Sequence, residues 1–267
     1  MRGIVRVCKA ALIILLNTAF LLPGLVVAAF PENVRIRAAS AGMSIWAKVA
    51  CSILGIRIKK TAIQKIPPGS LVVANHCSYL DILVLGSLIP GVFVAKQEVA
   101  SWPLLGWLSR LAGTIFVDRR SRMSAITTLF AIKRRLIADT SVFLFPEGTT
   151  NNGTNILTFK SYFFGIPVEK NRPVQPVSIV YSHINGKPVD NHEKDRIAWY
   201  GTMSLLPHLW YLLGVKNIDV RVHFSPAIED ITEGLDAAKI RKMVASMAHK
   251  NVVAGYEALL TDVTGSL

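Results

Sequence analysis

Residues 10–30, AALIILLNTAFLLPGLVVAAF, run for 21 positions without a charged side chain. A stretch of that length matches the hydrocarbon thickness of a bilayer, so a helix that enters a membrane is the first expectation. A secretory leader is the rival reading. The segment exceeds a usual signal core, and no clear small-x-small cleavage site precedes a convincing mature start. Pro23 and Gly24 interrupt the run, so a bent or re-entrant helix competes with a straight span. Residues 34–56 then read as a second, amphipathic helix. Two such helices make a membrane-associated hairpin over residues 1–60, which leaves residues 61–267 for one further domain, a length that suits a single α/β unit.

The charge map agrees with a lipid surface. Residues 1–180 hold 21 Lys plus Arg against 7 Asp plus Glu, and residues 181–267 hold 9 against 10, so the net charge of +13 lies in the first two thirds of the chain. Arg2, Arg6 and Lys9 precede the apolar run and Arg35, Arg37 and Lys48 follow it. That flanking pattern fits attraction to anionic lipid headgroups and a cytoplasmic membrane face. Nucleic acid, the other partner of basic chains, is not expected, because no RNA- or DNA-reading motif interleaves with these residues.

Cys8, Cys51 and Cys77 are odd in number and lack CxxC spacing, so neither a disulfide framework nor a bound metal is signalled. A reducing compartment follows. The NGT sequon at Asn152 is then a chance match. Downstream of the hairpin, strand-like segments at 71–74, 91–95, 114–117, 142–145, 174–181 and 218–224 alternate with helical ones at 79–88, 102–111, 122–139, 204–213 and 236–260. Alternation of this kind gives an α/β fold with a largely parallel, mixed sheet flanked by helices, and active residues gather at its strand ends.

Three of those strand ends carry polar groups. In "VVANHCSYLD", Asn75 and His76 follow an apolar strand and Asp81 lies five residues beyond the histidine. Ser78 and Asp81 also fit a helix-opening [ST]-x-x-[DE] pattern, which alone accounts for the aspartate. Positions five apart on a helix are separated by roughly 140° around the axis, so the two side chains meet only if His76 lies in the turn and Asp81 in the first helical turn. The helix N-terminus there offers N–H groups to an oxyanion or a phosphate. "GTIFVDRR" ends a second strand with Arg119, either part of a solvated turn or a clamp for a phosphate. "FPEGTTNNGTN" ends a third with Glu147 and Gly148, either a plain turn or a place to hold a substrate hydroxyl or orient an arginine. Pro176, inside "VQPVSIVY", points to a bulge or an edge position. No GxSxG elbow, Walker A loop or GxGxxG loop occurs.

These blocks, NHxxxxD, GxxFVDR, FPEGT and a proline-bearing strand, occur in that order within about 105 residues. Together they resemble the glycerolipid acyltransferases, in particular the bacterial lysophosphatidic acid acyltransferases, over residues 70–180. The resemblance implies acyl transfer from acyl-CoA or acyl-carrier protein to a lysolipid hydroxyl, with no cofactor beyond the acyl donor. It implies His76 as general base with Asp81 as its partner, and Arg119, Glu147, Gly148 and Thr149 on the acceptor, with Lys160 nearby. It also implies 1-acyl-glycerol-3-phosphate as acceptor, at the cytoplasmic face of a bacterial inner membrane. One departure stands out: Thr150 follows the EGT block where the family commonly has arginine. "LTFKSYFF" and "WYGTMSLLPHLWYLLG" look like stretches of bacterial lyso-ornithine lipid acyltransferases, which makes lyso-ornithine lipid the alternative acceptor. An inactive membrane-binding scaffold of the same fold is the alternative from another class.

Overall fold

Leu71–Ala74 and Ser141–Leu144 are buried at every position, the mark of strands covered on both faces. They form the middle of the sheet. The computed structural model describes residues 2–61, 66–169, 171–229 and 236–264. The elements run α1 (Arg2–Ala28), α2 (Glu32–Leu54), β1 (Ile56–Thr61), β2 (Leu71–Ala74), α3 (Leu80–Leu88), β3 (Gly91–Lys96), α4 (Leu105–Leu111), β4 (Ile115–Val117), α5 (Arg122–Ile137) and β5 (Ser141–Leu144). There follow α6 (Gly165–Glu169), β6 (Val174–Ile184), β7 (Lys187–Pro188), α7 (Asn191–Ile197), α8 (Leu205–Leu213), β8 (Ile218–Phe224) and α9 (Ala237–Thr264), with 3-10 turns at Gln97–Ser101 and Tyr162–Phe164.

Among the described residues the strand order is β1-β8-β6-β2-β5-β3-β4, with β7 attached to β6. Every pair along that path is parallel except β6 with β8. The α/β, largely parallel architecture is therefore the observed one. Successive residues of β2 face opposite layers, as a pleat requires. Val72 and Ala74 join a core with Leu16 of α1, Ala50 and Leu54 of α2, Leu80 and Val84 of α3 and Leu212 of α8. Leu71 and Val73 join the other, with Ile132 and Leu136 of α5 and Val244 and Ala248 of α9.

One local reading changes and another is narrowed. Residues 56–61, IRIKKT, form β1 at the sheet edge, paired in parallel with β8, whereas the sequence shows no strand there. Its two charged lysines face outward on an edge, which hides the alternation that a half-buried strand normally displays. Pro176 sits in β6, an interior strand rather than an edge. It lies between the bridge Val174 to Ile228 and the ladder that starts at Val177 and Phe224, three residues on one side against four on the other. That irregularity spares the ladder the N–H that proline lacks.

Helix α1 lies against the rest of the chain at both ends. Near its start, Lys9 Nζ donates to the Leu54 and Val215 carbonyls at 3.1 and 2.7 Å, and the Arg6 guanidinium packs on Gly214. Near its end, Gly24 abuts the Leu111 side chain of α4. Between these anchors and just past the second, most of the apolar run is exposed: Leu12, Ile14, Leu15, Leu22, Leu25 and Val26 all face outward. This is the one described helix long and apolar enough to cross a membrane.

Candidate active site

The β2 strand ends at Ala74, and Asn75 continues its pairing with β6 through a side chain instead of a backbone. Asn75 Nδ2 donates to the Ile179 carbonyl at 3.0 Å, and the Ile179 N–H donates to Asn75 Oδ1 at 2.8 Å. The fork between the strands opens at this point. His76 is thereby turned out at the C-terminal end of the parallel strands, the place where such sheets put ligands.

His76 Nδ1 and Asp81 Oδ2 are 2.8 Å apart. Asp81 sits in the first turn of α3, and the same oxygen accepts the Cys77 and Ser78 N–H groups, both at 2.9 Å. The other oxygen, Oδ1, accepts the Tyr181 hydroxyl at 2.6 Å. Four donors thus hold a carboxylate whose side chain is 1% exposed, while the imidazole keeps 16%. With Nδ1 directed at the carboxylate, its proton is fixed there and Nε2 is left to accept one. Phe145 stacks on the ring at 3.8 Å and 10°. The imidazole cannot swing freely.

The turn differs in one respect from the expectation of spare amides at the helix start. Asp81 Oδ2 takes those of Cys77 and Ser78, the Ser78 side chain takes that of Leu80, and the Ser78 and Tyr79 carbonyls take those of Asp81 and Ile82. A buried carboxylate this close outcompetes any outside acceptor for them. An oxyanion has no N–H to use among these five.

Glu147 enters from β5 and is only 2% exposed. Its Oε1 accepts the His76 N–H at 2.7 Å, and Oε2 accepts Asn151 Nδ2 and the Leu157 N–H, each at 2.8 Å. All of these donors belong to the protein, so the carboxylate braces the histidine turn rather than reaching outward, and among the described residues no arginine pairs with it. Burial pushes its pKa up to about 7 against the counter-effect of the Leu157 and His76 amides.

Arg119 follows β4 and its guanidinium donates to the Gly148 carbonyl. Gly148 has φ of 76°, and a Cβ there would meet Lys160 Nζ at 2.8 Å. Two cations therefore converge on the peptide that follows Glu147. Thr149 donates its hydroxyl to the Thr150 carbonyl at 3.3 Å and is exposed at the same rim. Every residue singled out in the three blocks thus lies at one end of the sheet, linked through the short path from His76 to Glu147 to Gly148. Burial, with the Asp81 and Glu147 carboxylates adding to it, pushes the Cys77 thiol well above its usual range, so a thiolate nucleophile is not formed beside the histidine.

Sequence reasoning missed Tyr181, Phe145, Asn151 and the pairing role of Asn75. Tyr181 alone left a trace, a phenol at an inward position of the proline-bearing strand. Among the described residues no cluster of His, Cys, Asp and Glu is arranged to hold a metal ion.

Comparison with known proteins covers the same part of the chain. The family model "Acyltransferase" matches residues 57–180. A lyso-ornithine lipid O-acyltransferase of Brucella abortus is 34% identical over 68% of this chain and 70% of its own length. The chain belongs to the acyltransferase family. The lyso-ornithine lipid O-acyltransferase of Rhizobium meliloti is 38% identical over 69% of this chain, which spans 65% of that relative's length. A 1-acyl-sn-glycerol-3-phosphate acyltransferase of Neisseria meningitidis is 31% identical over 72% of each chain. In fold, this family member is similar to the crystal structure of the 1-acyl-sn-glycerophosphate acyltransferase PlsC from Thermotoga maritima, with a TM-score of 0.60, 21% identity and coverage of 95% and 97% of the two chains.

Proposed function

We propose that the chain is a lysolipid O-acyltransferase that moves an acyl group from a thioester donor, acyl-CoA or acyl-carrier protein, to a lipid hydroxyl. The observation that carries this reading is the His76 and Asp81 pair at a sheet edge shared with Arg119 and Lys160. An alcohol is a weak nucleophile at neutral pH. His76 Nε2 takes its proton as the oxygen attacks the thioester carbonyl, and Asp81 stabilises the imidazolium that forms. Collapse of the tetrahedral intermediate breaks the C–S bond, and the departing sulfur receives that proton. Ester and free thiol are the products.

Membranes carrying the wild-type chain should consume acyl thioester in the presence of lysolipid, and His76→Ala should lower the rate by on the order of 10² to 10⁴, the usual contribution of a positioned base. Equal rates would favour an inactive scaffold and remove the enzymatic reading.

For the acceptor, two cations at Gly148 suit the phosphate monoester of 1-acyl-glycerol-3-phosphate. A second reading, lyso-ornithine lipid, is favoured by Thr150, which supplies no third cation, and by the naming of the Rhizobium meliloti and Brucella abortus relatives. A side-by-side assay of the two acceptors with one acyl donor decides between them by kcat/KM.

The membrane reading is monotopic. Arg6 and Gly24 are 18 residues apart, about 27 Å along a helix, and both touch the α/β body. A helix pinned to the body at both ends lies across it and enters one leaflet with its outer face, on the cytoplasmic side where acyl donors are made available.

A further inference from the structure

Helix α5 starts three residues after Arg119 and carries an unusual outer face. Between Asp118 and Asp139 the chain has six basic residues, Arg119, Arg120, Arg122, Lys133, Arg134 and Arg135, and no acidic one. Met123, Phe130 and Ile137 are seven apart, so they share one line about 21 Å long, and they are 68%, 61% and 49% exposed. Arg134 lies along the same line but is paired with Glu32, whereas Arg120 and Arg122 are exposed at its active-site end. The opposite side of the helix is buried through Thr128, Ile132 and Leu136. An amphipathic helix normally shows water a polar face. Three large apolar side chains aligned among guanidinium groups read instead as a contact surface.

A lipid leaflet is the first occupant to weigh for a basic, apolar helix face. The layering argues against it. Helix α5 packs in the core layer of Leu71 and Val73, while α1 and α2 pack in the layer of Val72 and Ala74. The sheet stands between α1 and most of this stripe, and among the described residues only the last turn of α5 reaches the hairpin, where Arg134 and Arg135 pair with Glu32 at the start of α2. A soluble partner remains, and the sign of the charge requires it to be acidic.

We infer that the outer face of α5 docks a small acidic protein that carries the acyl group as a thioester, the acyl-carrier form of the donor. The inference rests on the acyl-transfer reading above, since such a carrier is useful only to an enzyme that consumes its thioester. Position supports the match: Arg122 lies three residues from Arg119, so a carrier seated on α5 presents its flexible prosthetic arm at the strand end where His76 stands. The free coenzyme donor has no protein body and needs no such surface.

The test compares one acyl chain on acyl-carrier protein and on coenzyme A, with full-length chain in detergent micelles and the same lysolipid. For the double variant Arg122→Glu with Phe130→Ser, KM for the carrier-bound donor should rise about tenfold or more, the scale at which a few contact residues dominate an interface. KM and kcat with the coenzyme A donor should stay within about twofold, which also reports an intact fold. The wild-type KM for the carrier, but not for coenzyme A at equal ionic strength, should rise with salt. Met123→Ser alone gives the same pattern at smaller amplitude. Unchanged carrier kinetics, or an equal loss with both donors, overturns the docking surface. So does a loss of vesicle binding in the double variant at full carrier activity, which would assign the stripe to lipid. Turnover of neither donor by wild type removes the acyl-transfer reading itself, and the docking inference with it.

Discussion

At the scale of single residues, the site is organised around two buried carboxylates with different neighbours. Asp81 is held by four donors, and among the described residues only the Tyr181 hydroxyl reaches Oδ1. Tyr181→Phe leaves that oxygen buried without a partner, at a cost of about 1.5 to 3 kcal/mol for a hydrogen bond to a charged group. The expected outcome is a lower melting temperature together with a fall in kcat that exceeds any change in KM for the acceptor, measured by thermal unfolding and steady-state kinetics. Full kcat in this variant would show that the phenol does not position the pair. Glu147 behaves in the other direction. Its folded pKa, about 7, lies above the ordinary 4.5, so the folded chain binds this proton more tightly than the unfolded one. Its contribution to stability is therefore complete below about pH 4.5 and is lost as pH rises toward 7. Glu147→Gln removes that dependence along with one acceptor oxygen, so the melting-temperature gap between wild type and variant should be wider at pH 5 than at pH 8. A gap that widens with pH instead would mean the carboxylate is held ionised by its three donors.

At the scale of elements, the sequence displays what one strand or helix decides for itself. The β2, β5 and β8 segments are legible because their apolar residues are contiguous or alternate, and the five-residue spacing of His76 and Asp81 already required a turn followed by a helix start. What stays hidden depends on distant chain. Asn75 and Ile179 are 104 residues apart, and Asp81 and Tyr181 are 100 apart, so neither contact has a local signal. Glu147 looked outward because its sequence neighbours form a turn, yet its donors come from β2's end and from Leu157. The turn after β5 shows how tightly such an element is set. Gly148 has positive φ and stands against Lys160. Gly148→Ala should destabilise the chain by about 1 to 2 kcal/mol through backbone strain alone, and, if the proposed acceptor role of Lys160 holds, should raise KM for the lysolipid more than KM for the thioester. Equal effects on both substrates would place Lys160 outside the acceptor site.

At the scale of the whole molecule, the geometry of α1 decides how the site meets its lipid. Lys9 closes two carbonyls at the ends of α2 and α8, and Gly24 fits against Leu111 of α4, so the helix is strapped to the α/β body on both sides of its apolar run. Crossing a bilayer would require either breaking both straps or dragging Arg110 of α4 and Lys216 just past α8 into hydrocarbon, and each unpaired buried charge there is costly. Lying in one leaflet satisfies the exposed leucines and isoleucines while the straps stay made. A monotopic chain has both ends of α1 on one side. Chains carrying Gly3→Cys or Lys60→Cys in a Cys8→Ser background, in which the remaining Cys51 and Cys77 are buried, should therefore react with a membrane-impermeant maleimide from the same side of sealed vesicles and stay unlabelled from the other. Labelling of the two positions from opposite sides would mean that α1 spans the bilayer and that the contacts of Lys9 and Gly24 are not made together.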